Sequence, residues 1–210
     1  MVKKAVIFFL AWIILFGATG AFSAEEEIHF DFEKENPGWV IPDWAYEQPD
    51  HVARFVSASS KEASSGSNSL EIMCEYPGDE WKAALVEREG DLDFTGYETI
   101  SMDVYLPKTA PKHLFLGRII LTVSEGWLFT QMKEGVPLYP GKWTTVSARL
   151  DFPEQDYKKS AWRGRKEKRL YKHLSKIKKV AIRIEYDAAP PYRIGKKHHG
   201  PVYVDNMVIK

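Results

Sequence analysis

Apolar and polar residues alternate along three segments of the chain, at 99–106, 143–150 and 180–186. Successive side chains of a strand point to opposite faces, so this period of two predicts strands with one buried and one solvent-facing side. Less regular strands are predicted at 29–32, 53–57, 69–76, 81–89, 117–124, 127–132 and 202–209. Residues predicted to point inward include Val146, Ala148, Val180, Ile182 and Ile184.

Turn-forming residues such as Pro77-Gly78-Asp79 and Pro140-Gly141 separate these segments. About ten short strands with such turns predict an all-β protein, built as a two-sheet antiparallel β-sandwich. The exception is 168–177, where apolar residues and a histidine recur at helical spacing. This segment predicts one short crossover helix that covers an edge or an end of a sheet.

The first residues have the features of a secretory signal peptide. Two lysines precede an apolar run from 5 to 16, and Ala21 and Ser23 follow at the spacing that signal peptidase recognises. We predict cleavage after Ser23, with Ala24 as the second choice, so that residues 1–23 are removed and 24–210 form a single domain. The mature protein would be secreted or periplasmic; the alternative is an uncleaved anchor.

Charge is balanced along most of the chain. The 29 Lys and Arg residues match 29 Asp and Glu residues, a formal net charge of +0, which gives no support for a nucleic-acid partner. The exception is the basic segment, 158–179, with eleven Lys and Arg against one acid. It is either a solvated crossover or a patch for anionic polymers. Its Trp162 and Tyr171 would stack on a ligand or hold the segment against the sandwich.

Few residues have the spacing of a catalytic or metal site. Glu185 and Asp187 share a strand face, as do Asp91 and Asp93, and such carboxylate pairs serve in glycoside hydrolases. A jelly-roll glycanase or polysaccharide lyase that uses Glu185 is therefore an alternative function. His198-His199 is more typical of a polar loop than of a metal site, and the one cysteine, Cys74, is predicted to be a buried small hydrophobe.

Tryptophans favour binding over catalysis. Six follow the predicted signal peptide, and Trp39, Trp81 and Trp127 lie close to turn signals. An indole offers a flat, polarisable face to the C–H bonds of a sugar ring, while charged and amide side chains bind the hydroxyls. Trp143, which begins a strand after a Pro-Gly turn, fits a core position better.

Several motifs resemble those of β-jelly-roll carbohydrate-binding modules of the galactose-binding-like superfamily. Phe30-Asp31-Phe32-Glu33 with Gly38-Trp39 resembles their first strand, and 200–209 resembles their last strand. Between them, Asp79-Glu80-Trp81, the run ISMDVYLP at 100–107, and Arg118 followed by Gly126-Trp127 are most similar to the mannan-binding modules of family 27. The resemblance covers nearly all of 24–210.

This resemblance implies a jelly roll whose concave sheet binds a β-1,4-mannan chain in a cleft. Matched by position, Trp81 and Trp127 would be stacking platforms, together with Trp39 or Trp44. Arg118 matches a family arginine, and the strand alternation places Arg118, Arg183 and Glu185 on the outward face, where they would bind hydroxyls. The basic segment departs from the family pattern and leaves room for an acidic polysaccharide.

Modules of this kind also commonly hold one structural calcium ion, which the resemblance would assign to Asp31 and Asp205 with help from Glu33 and the 65–69 carbonyls. Alternatively, Asp205 caps a turn. The hypothesis favoured by the sequence is an exported, non-catalytic protein that binds a β-mannan or a related β-glycan. A further alternative is an envelope or adhesion protein that binds anionic polymers through the basic segment. Protein partners and the individual sugar stay open.

Overall fold

Twelve strands pair into two antiparallel sheets in the computed structural model, which describes residues 26–30, 32–35, 37–112, 115–123, 128–150, 161–164, 167–186 and 196–210. The strands are β1 (Ile28–Phe30), β2 (Ala53–Ser59), β3 (Ser69–Tyr76), β4 (Lys82–Leu92), β5 (Thr99–Tyr105), β6 (Phe115–Val123), β7 (Leu128–Met132), β8 (Val136–Leu138), β9 (Trp143–Arg149), β10 (Trp162–Gly164), β11 (Ile177–Tyr186) and β12 (His198–Ile209).

The first sheet has the order β2-β3-β12-β5-β9, with β1 added beside β12. The second has the order β10-β7-β6-β11-β4, with β8 added beside β6. All ten predicted strands are present, which confirms the predicted β-sandwich of the jelly-roll type. The structure adds β8 and β10, two strands of three residues each that are too short to show an alternation in the sequence.

The core fills the space between the sheets, and the predicted alternation is confirmed by burial. Ile100, Met102 and Val104 of β5 are buried, while the residues between them are partly exposed. In β11 the inward residues are those predicted from the pattern: Val180, Ile182, Ile184 and Tyr186. The sheets approach closely at Gly117, where an added Cβ would lie 2.7 Å from Cγ2 of Val146 on the facing sheet. Cys74 is buried and free, as predicted.

Helices are few and short. The segment predicted as a crossover helix forms a 3-10 helix at Glu167–Lys176, and its Leu170 and Leu174 belong to the core, as the helical spacing predicts. A single α-helical turn, α1 (Asp43–Tyr46), was not expected. Among the described residues, no helix is long and apolar enough to cross a membrane. Residues 1–25, including the predicted signal peptide and its cleavage site, lie outside the described residues.

His198 begins strand β12 and is buried, so the predicted polar loop at this position is wrong. Its ring stacks on Tyr76, with centroids 6.2 Å apart, and meets Phe115 edge-on at 5.5 Å. Burial lowers the pKa of His198 below 6.5, although a hydrogen bond to the backbone of Pro201 acts in the opposite direction. The imidazole is therefore held neutral inside the aromatic cluster.

Acidification is expected to destabilise the fold through this histidine. The unfolded chain takes up a proton near pH 6.5, whereas folded His198 resists protonation. The contribution of neutral His198 to the free energy of unfolding is therefore complete above pH 6.5, and it is lost as the pH falls toward the folded-state pKa. Each unit by which the pKa is lowered is worth about 1.4 kcal/mol. Urea unfolding at pH 7.5 and pH 5 measures the loss, which should be smaller in His198→Phe.

His51, whose pKa is also lowered by burial, remains in both proteins and keeps part of the pH dependence. The exposed His29, with 57% of its side chain accessible, is the control, and His29→Gln should leave the wild-type pH profile unchanged. An identical pH dependence in wild type and His198→Phe would contradict this role of His198.

Candidate functional site

One face of the second sheet points away from the core, and we call it the outer face. It is defined by alternation along five strands, because the residues between the core-facing positions must point outward. The side chains of the outer face are Ala83, Leu85, Glu87 and Glu89 on β4; Lys179, Ala181, Arg183 and Glu185 on β11; Leu116, Arg118, Ile120 and Thr122 on β6; Phe129 and Gln131 on β7; and Arg163 on β10.

Two arginines share one carboxylate near the middle of the outer face. Arg118 on β6 lies opposite Arg183 on β11 in the strand register. Nε of Arg118 donates to Oε2 of Glu185 at 3.0 Å, and the guanidinium of Arg183 pairs with the other carboxylate oxygen. Glu185 is buried, with only 6% of its side chain accessible. This arrangement fixes both guanidinium groups on the sheet.

Arg118 is held from a second side as well. One of its terminal nitrogens donates to the carbonyl oxygens of Met132 at 2.8 Å and Lys133 at 2.6 Å. Arg183 is held less completely, since its Nε is buried and has no hydrogen-bond partner. Burial lowers the pKa of Arg183, and the nearby charges of Arg118 and Arg163 add to that effect, while Glu185 opposes it.

A second charged group lies toward one end of the same face. Nζ of Lys179 is 2.6 Å from Glu87 and 2.7 Å from Glu89, so one ammonium bridges two carboxylates of the neighbouring strand. Although burial lowers the pKa of Lys179, the hydrogen bonds that its ammonium donates to Glu87 and Glu89 raise this pKa above its ordinary value. Between the two charged groups lie the buried apolar residues Leu85, Ile120 and Ala181.

Exposed aromatic residues border the outer face along the edge strand β4. The 40–52 segment runs along this edge, where Val40 pairs with Glu87 and the amide of Val52 donates to the carbonyl of Ala83. This segment includes α1, which exposes Trp44 and Tyr46. Trp81 comes directly before β4, and 42% of it is accessible. Of the seven exposed large hydrophobic residues in the described part of the chain, Val40, Trp44, Tyr46 and Trp81 lie at this edge.

The structure brings together three of the predicted binding residues and places two more nearby. Arg118, Arg183 and Glu185 form one ion-pair group on the outer face, as their outward alternation suggested. Trp44 and Trp81 are exposed at the β4 edge. Trp127 lies outside the described residues, so its role as a stacking platform stays a prediction.

The prediction that Trp39 could be the third platform is wrong. Only 3% of Trp39 is accessible, and its indole packs against Phe30 and Phe32, with ring centroids 5.9 and 6.1 Å away. The chain turns at Gly38, whose φ of 77° lies in the left-handed region, and Trp39 then enters the core. Of the two tryptophans left open in this part of the chain, Trp44 is the exposed one.

Sequence reasoning missed several residues of the outer face. Phe129 and Gln131 alternate with the core-facing Thr130 and Met132 of β7, a signal that was present in the sequence. Glu87 and Lys179 could not be singled out because their pairing depends on the register between β4 and β11. Tyr46 was hidden because a single helical turn leaves no periodic pattern.

The described residues do not fit a calcium site around Asp205. Its Oδ2 accepts hydrogen bonds from the amides of Ser64 at 2.7 Å and Ser65 at 2.8 Å, and its Oδ1 accepts one from the amide of Asn206 at 2.7 Å. A cation needs oxygen ligands, whereas these three neighbours are N–H donors; the hydroxyl of Ser64, 3.2 Å from Oδ2, is a further donor to the carboxylate. Asp205 therefore joins the 64–65 loop to β12, which is the predicted turn-capping role.

The other predicted calcium residues give no further support. Asp31 lies outside the described residues, and Glu33 accepts hydrogen bonds from the amides of Ser67 and Asn68. No group of three or more possible metal ligands occurs within the ranges that the structure describes. Calcium bound by Asp31 and Asp205 stays a prediction, and no step of the proposed function depends on it.

The basic segment is partly integrated into the sandwich. Trp162 is fully buried, and its Nε1 donates to the carbonyl of Arg149 at 2.6 Å, so it holds the segment against the core and does not stack on a ligand. Lys178 pairs with Asp91, and Lys179 belongs to the outer face. Residues 158–160 and 165–166 lie outside the described residues.

The predicted catalytic carboxylates are engaged in structural contacts. Both oxygens of Glu185 face arginines, Asp91 pairs with Lys178, and Asp93 accepts a hydrogen bond from the amide of Thr95 at 2.8 Å. Asp187, the proposed partner of Glu185, lies outside the described residues. The geometry therefore favours fixed hydrogen-bonding groups on a sheet over a pair of carboxylates that flank a scissile bond.

No protein-family model and no curated protein sequence matches the chain. Solved structures do resemble it. One similar structure comes from a study of promiscuous specificity in β-sandwich carbohydrate-binding modules. It is 14% identical with a TM-score of 0.48, and the match covers 74% of this chain and 53% of that chain. A family 27 module described as recognising mannan is 16% identical with a TM-score of 0.46, and the match covers 88% of this chain and 94% of that module. An exo-β-agarase is 16% identical with a TM-score of 0.51, and the match covers 86% of this chain and 24% of the agarase.

At these identities the likeness concerns the fold alone. The chain shares its β-sandwich over 86% of its length with a part of the agarase, of which it spans 24%. Modules of families 22 and 11 are also among the similar structures, so family 27 is one of several with this architecture.

Proposed function

We propose that this chain is an exported, non-catalytic carbohydrate-binding protein that holds a polysaccharide chain on the outer face of its second sheet. The observation that carries the proposal is the placement of exposed aromatic residues, Trp44, Tyr46 and Trp81, along the edge of a sheet face that carries fixed polar side chains. Exposed apolar side chains that cluster beside polar groups are typical of a binding site.

The two kinds of side chain have different tasks in this proposal. Trp44 and Trp81 stack on sugar rings, for which the indole provides a large face at a small cost in conformational entropy. Arg118 and Arg183 donate hydrogen bonds, the amide of Gln131 donates or accepts them, and together they select the pattern of hydroxyl groups. Because Arg118 is already held by two backbone carbonyls, binding requires little further ordering of its side chain.

The ligand class that we propose is a β-linked polysaccharide, a β-mannan or a related β-glycan. Support comes from the motif resemblance to mannan-binding modules and from a similar solved structure described as recognising mannan. Export through cleavage of residues 1–23 belongs to the same proposal, since such polymers are met outside the cell. Trp127, the residue before Leu128 in the sequence, remains a further proposed platform.

Removal of the exposed indoles is the direct test. We expect Trp81→Ala and Trp44→Ala each to weaken polysaccharide binding by about tenfold or more, as for an aromatic residue that dominates a binding site. Affinity gel electrophoresis against a panel of mannans, glucans and xylans measures the retardation. Both variants should keep the wild-type unfolding midpoint, because these side chains are about half exposed.

Phe55→Ala is the matched control, since Phe55 is an aromatic residue with 57% exposure on β2 of the other sheet. It should bind as the wild type does. The proposal fails if no polysaccharide of the panel retards the wild-type protein, or if the two tryptophan variants and the control are retarded equally.

A further inference from the structure

The outer face carries more positive than negative charge around Glu185. Arg118 and Arg183 both pair with this one carboxylate, and the charge of Arg163 acts on Arg183 as well. The side chains of Arg118 and Arg183 are only 11% and 16% accessible. Two guanidinium groups and one carboxylate leave a net charge of +1 in a largely buried position, and Arg163 adds to it.

The other acids of this face belong to a separate group, in which two carboxylates share one ammonium and leave a net charge of −1. Glu87 and Glu89 pair with Lys179, which lies on the far side of Ala181 from Arg183. Among the described residues, Glu185 is therefore the one acidic side chain of the outer face that pairs with Arg118 or Arg183. A buried charge that must share its counter-charge is costly, so a negatively charged ligand would be stabilised beside the two arginines.

Two polar atoms on the same face have no hydrogen-bond partner among the described residues. Nε of Arg183 is a buried donor without an acceptor, and Oε1 of Gln131 is also buried and unpaired. Gln131 lies between Ile120 and Arg163 in the strand register, so its amide is beside the extra positive charge. Whichever way this amide is oriented, it offers hydrogen-bonding groups that the protein does not itself satisfy.

We propose that the outer face binds an acidic polysaccharide, whose carboxylate or sulfate group pairs with Arg183 and Arg163 while Gln131 binds a neighbouring hydroxyl. This inference rests on the proposed function and narrows its substrate class. A guanidinium group donates two parallel hydrogen bonds to a planar carboxylate and fits the oxygens of a sulfate ester in a similar way. The incoming anion supplies the counter-charge that the described residues lack.

Matched polymers separate this inference from the proposed function. A β-1,4-mannan and a β-1,4-linked polymer of mannuronic acid have the same backbone and differ at C6, where a carboxylate replaces a hydroxymethyl group. A sulfated galactan and its desulfated form provide the same comparison for sulfate. Affinity gel electrophoresis and calorimetry at 50 and 300 mM salt would be carried out with wild type, Arg183→Gln and Arg54→Gln.

We expect the wild type to bind at least one charged polymer about 10- to 100-fold more tightly than its neutral counterpart, as for a charge-assisted hydrogen bond. The difference should shrink at high salt and disappear in Arg183→Gln, which leaves Arg118 and Glu185 as a balanced pair. Arg54→Gln, which removes an exposed arginine paired with Glu75 on the other sheet, should behave as the wild type.

Each other outcome overturns one claim. Neutral mannan bound as tightly as its charged form overturns the acidic ligand and leaves polysaccharide binding intact, and an unaffected Arg183→Gln in addition removes Arg183 from the binding site. Charged polymers that bind Arg183→Gln as well as wild type place the anion elsewhere and overturn the assignment to the outer face. A protein that binds none of the four polymers or the wider glycan panel overturns the proposed function itself.

Discussion

Glu185→Ala should destabilise the protein by about 3–5 kcal/mol, because it leaves two largely buried guanidinium groups facing each other without their shared carboxylate. Arg118 and Arg183 are opposite each other on β6 and β11, the two central strands that carry the site. Both oxygens of Glu185 are engaged with them, and the two carbonyls that also hold Arg118 carry no charge to replace the lost carboxylate. The free energy of unfolding from urea titration at pH 7 measures the effect.

The reciprocal substitution gives the control. Arg183→Gln removes the positive charge that lacks its own partner and keeps the pair of Arg118 and Glu185, so we expect its free energy of unfolding to stay within about 1 kcal/mol of the wild type. If Glu185→Ala does not fold, Glu185→Gln keeps the side-chain volume and tests the charge alone. Equal losses in the Glu185 and Arg183 variants would contradict the view that the arginines are in excess.

Alternation in the sequence was sufficient to assign the faces of the strands but not their partners. Because successive side chains point to opposite sides, Arg118, Arg183 and Glu185 could be placed outward from their neighbours alone. That Arg118 lies opposite Arg183 depends on the pairing of β6 with β11, which are more than fifty residues apart in the chain. Register between distant strands is set by the whole fold, so local patterns did not reveal the shared carboxylate.

The tryptophans show where local signals mislead. Trp39 follows a turn and is buried, whereas Trp143, which fitted a core position, is partly exposed and packs its ring against Tyr105 at 5.4 Å. A turn fixes the direction of the backbone and not the side of the sheet on which the next side chain lies. Trp44 lies in α1, a single turn in which Ala45 is buried and Trp44 is exposed, and one turn is too short for a periodic pattern to show which side faces outward.

Trp162→Ala should destabilise the protein by about 3–5 kcal/mol, the usual cost of truncating a large aromatic residue in a core. Trp162 is fully buried, and its Nε1 donates to the carbonyl of Arg149 on β9, the edge strand of the first sheet. It belongs to β10, which has three residues and pairs only with β7 among the described strands. This one indole therefore ties the edge of the second sheet to the first.

Binding should change together with stability in this variant, because Arg163 is the next residue and points to the outer face. We expect Trp162→Ala to weaken binding of a charged polysaccharide even at temperatures where the protein remains folded, while Trp162→Phe, which keeps a ring but loses the N–H donor, costs only about 1 kcal/mol. Urea unfolding and hydrogen exchange of the β10 amides provide the two measurements.

A Trp162→Ala protein with wild-type stability would mean that β10 is held by its pairing with β7 alone. Loss of stability with full binding would remove Arg163 from the site and leave Arg183 as the sole anchor for the anion.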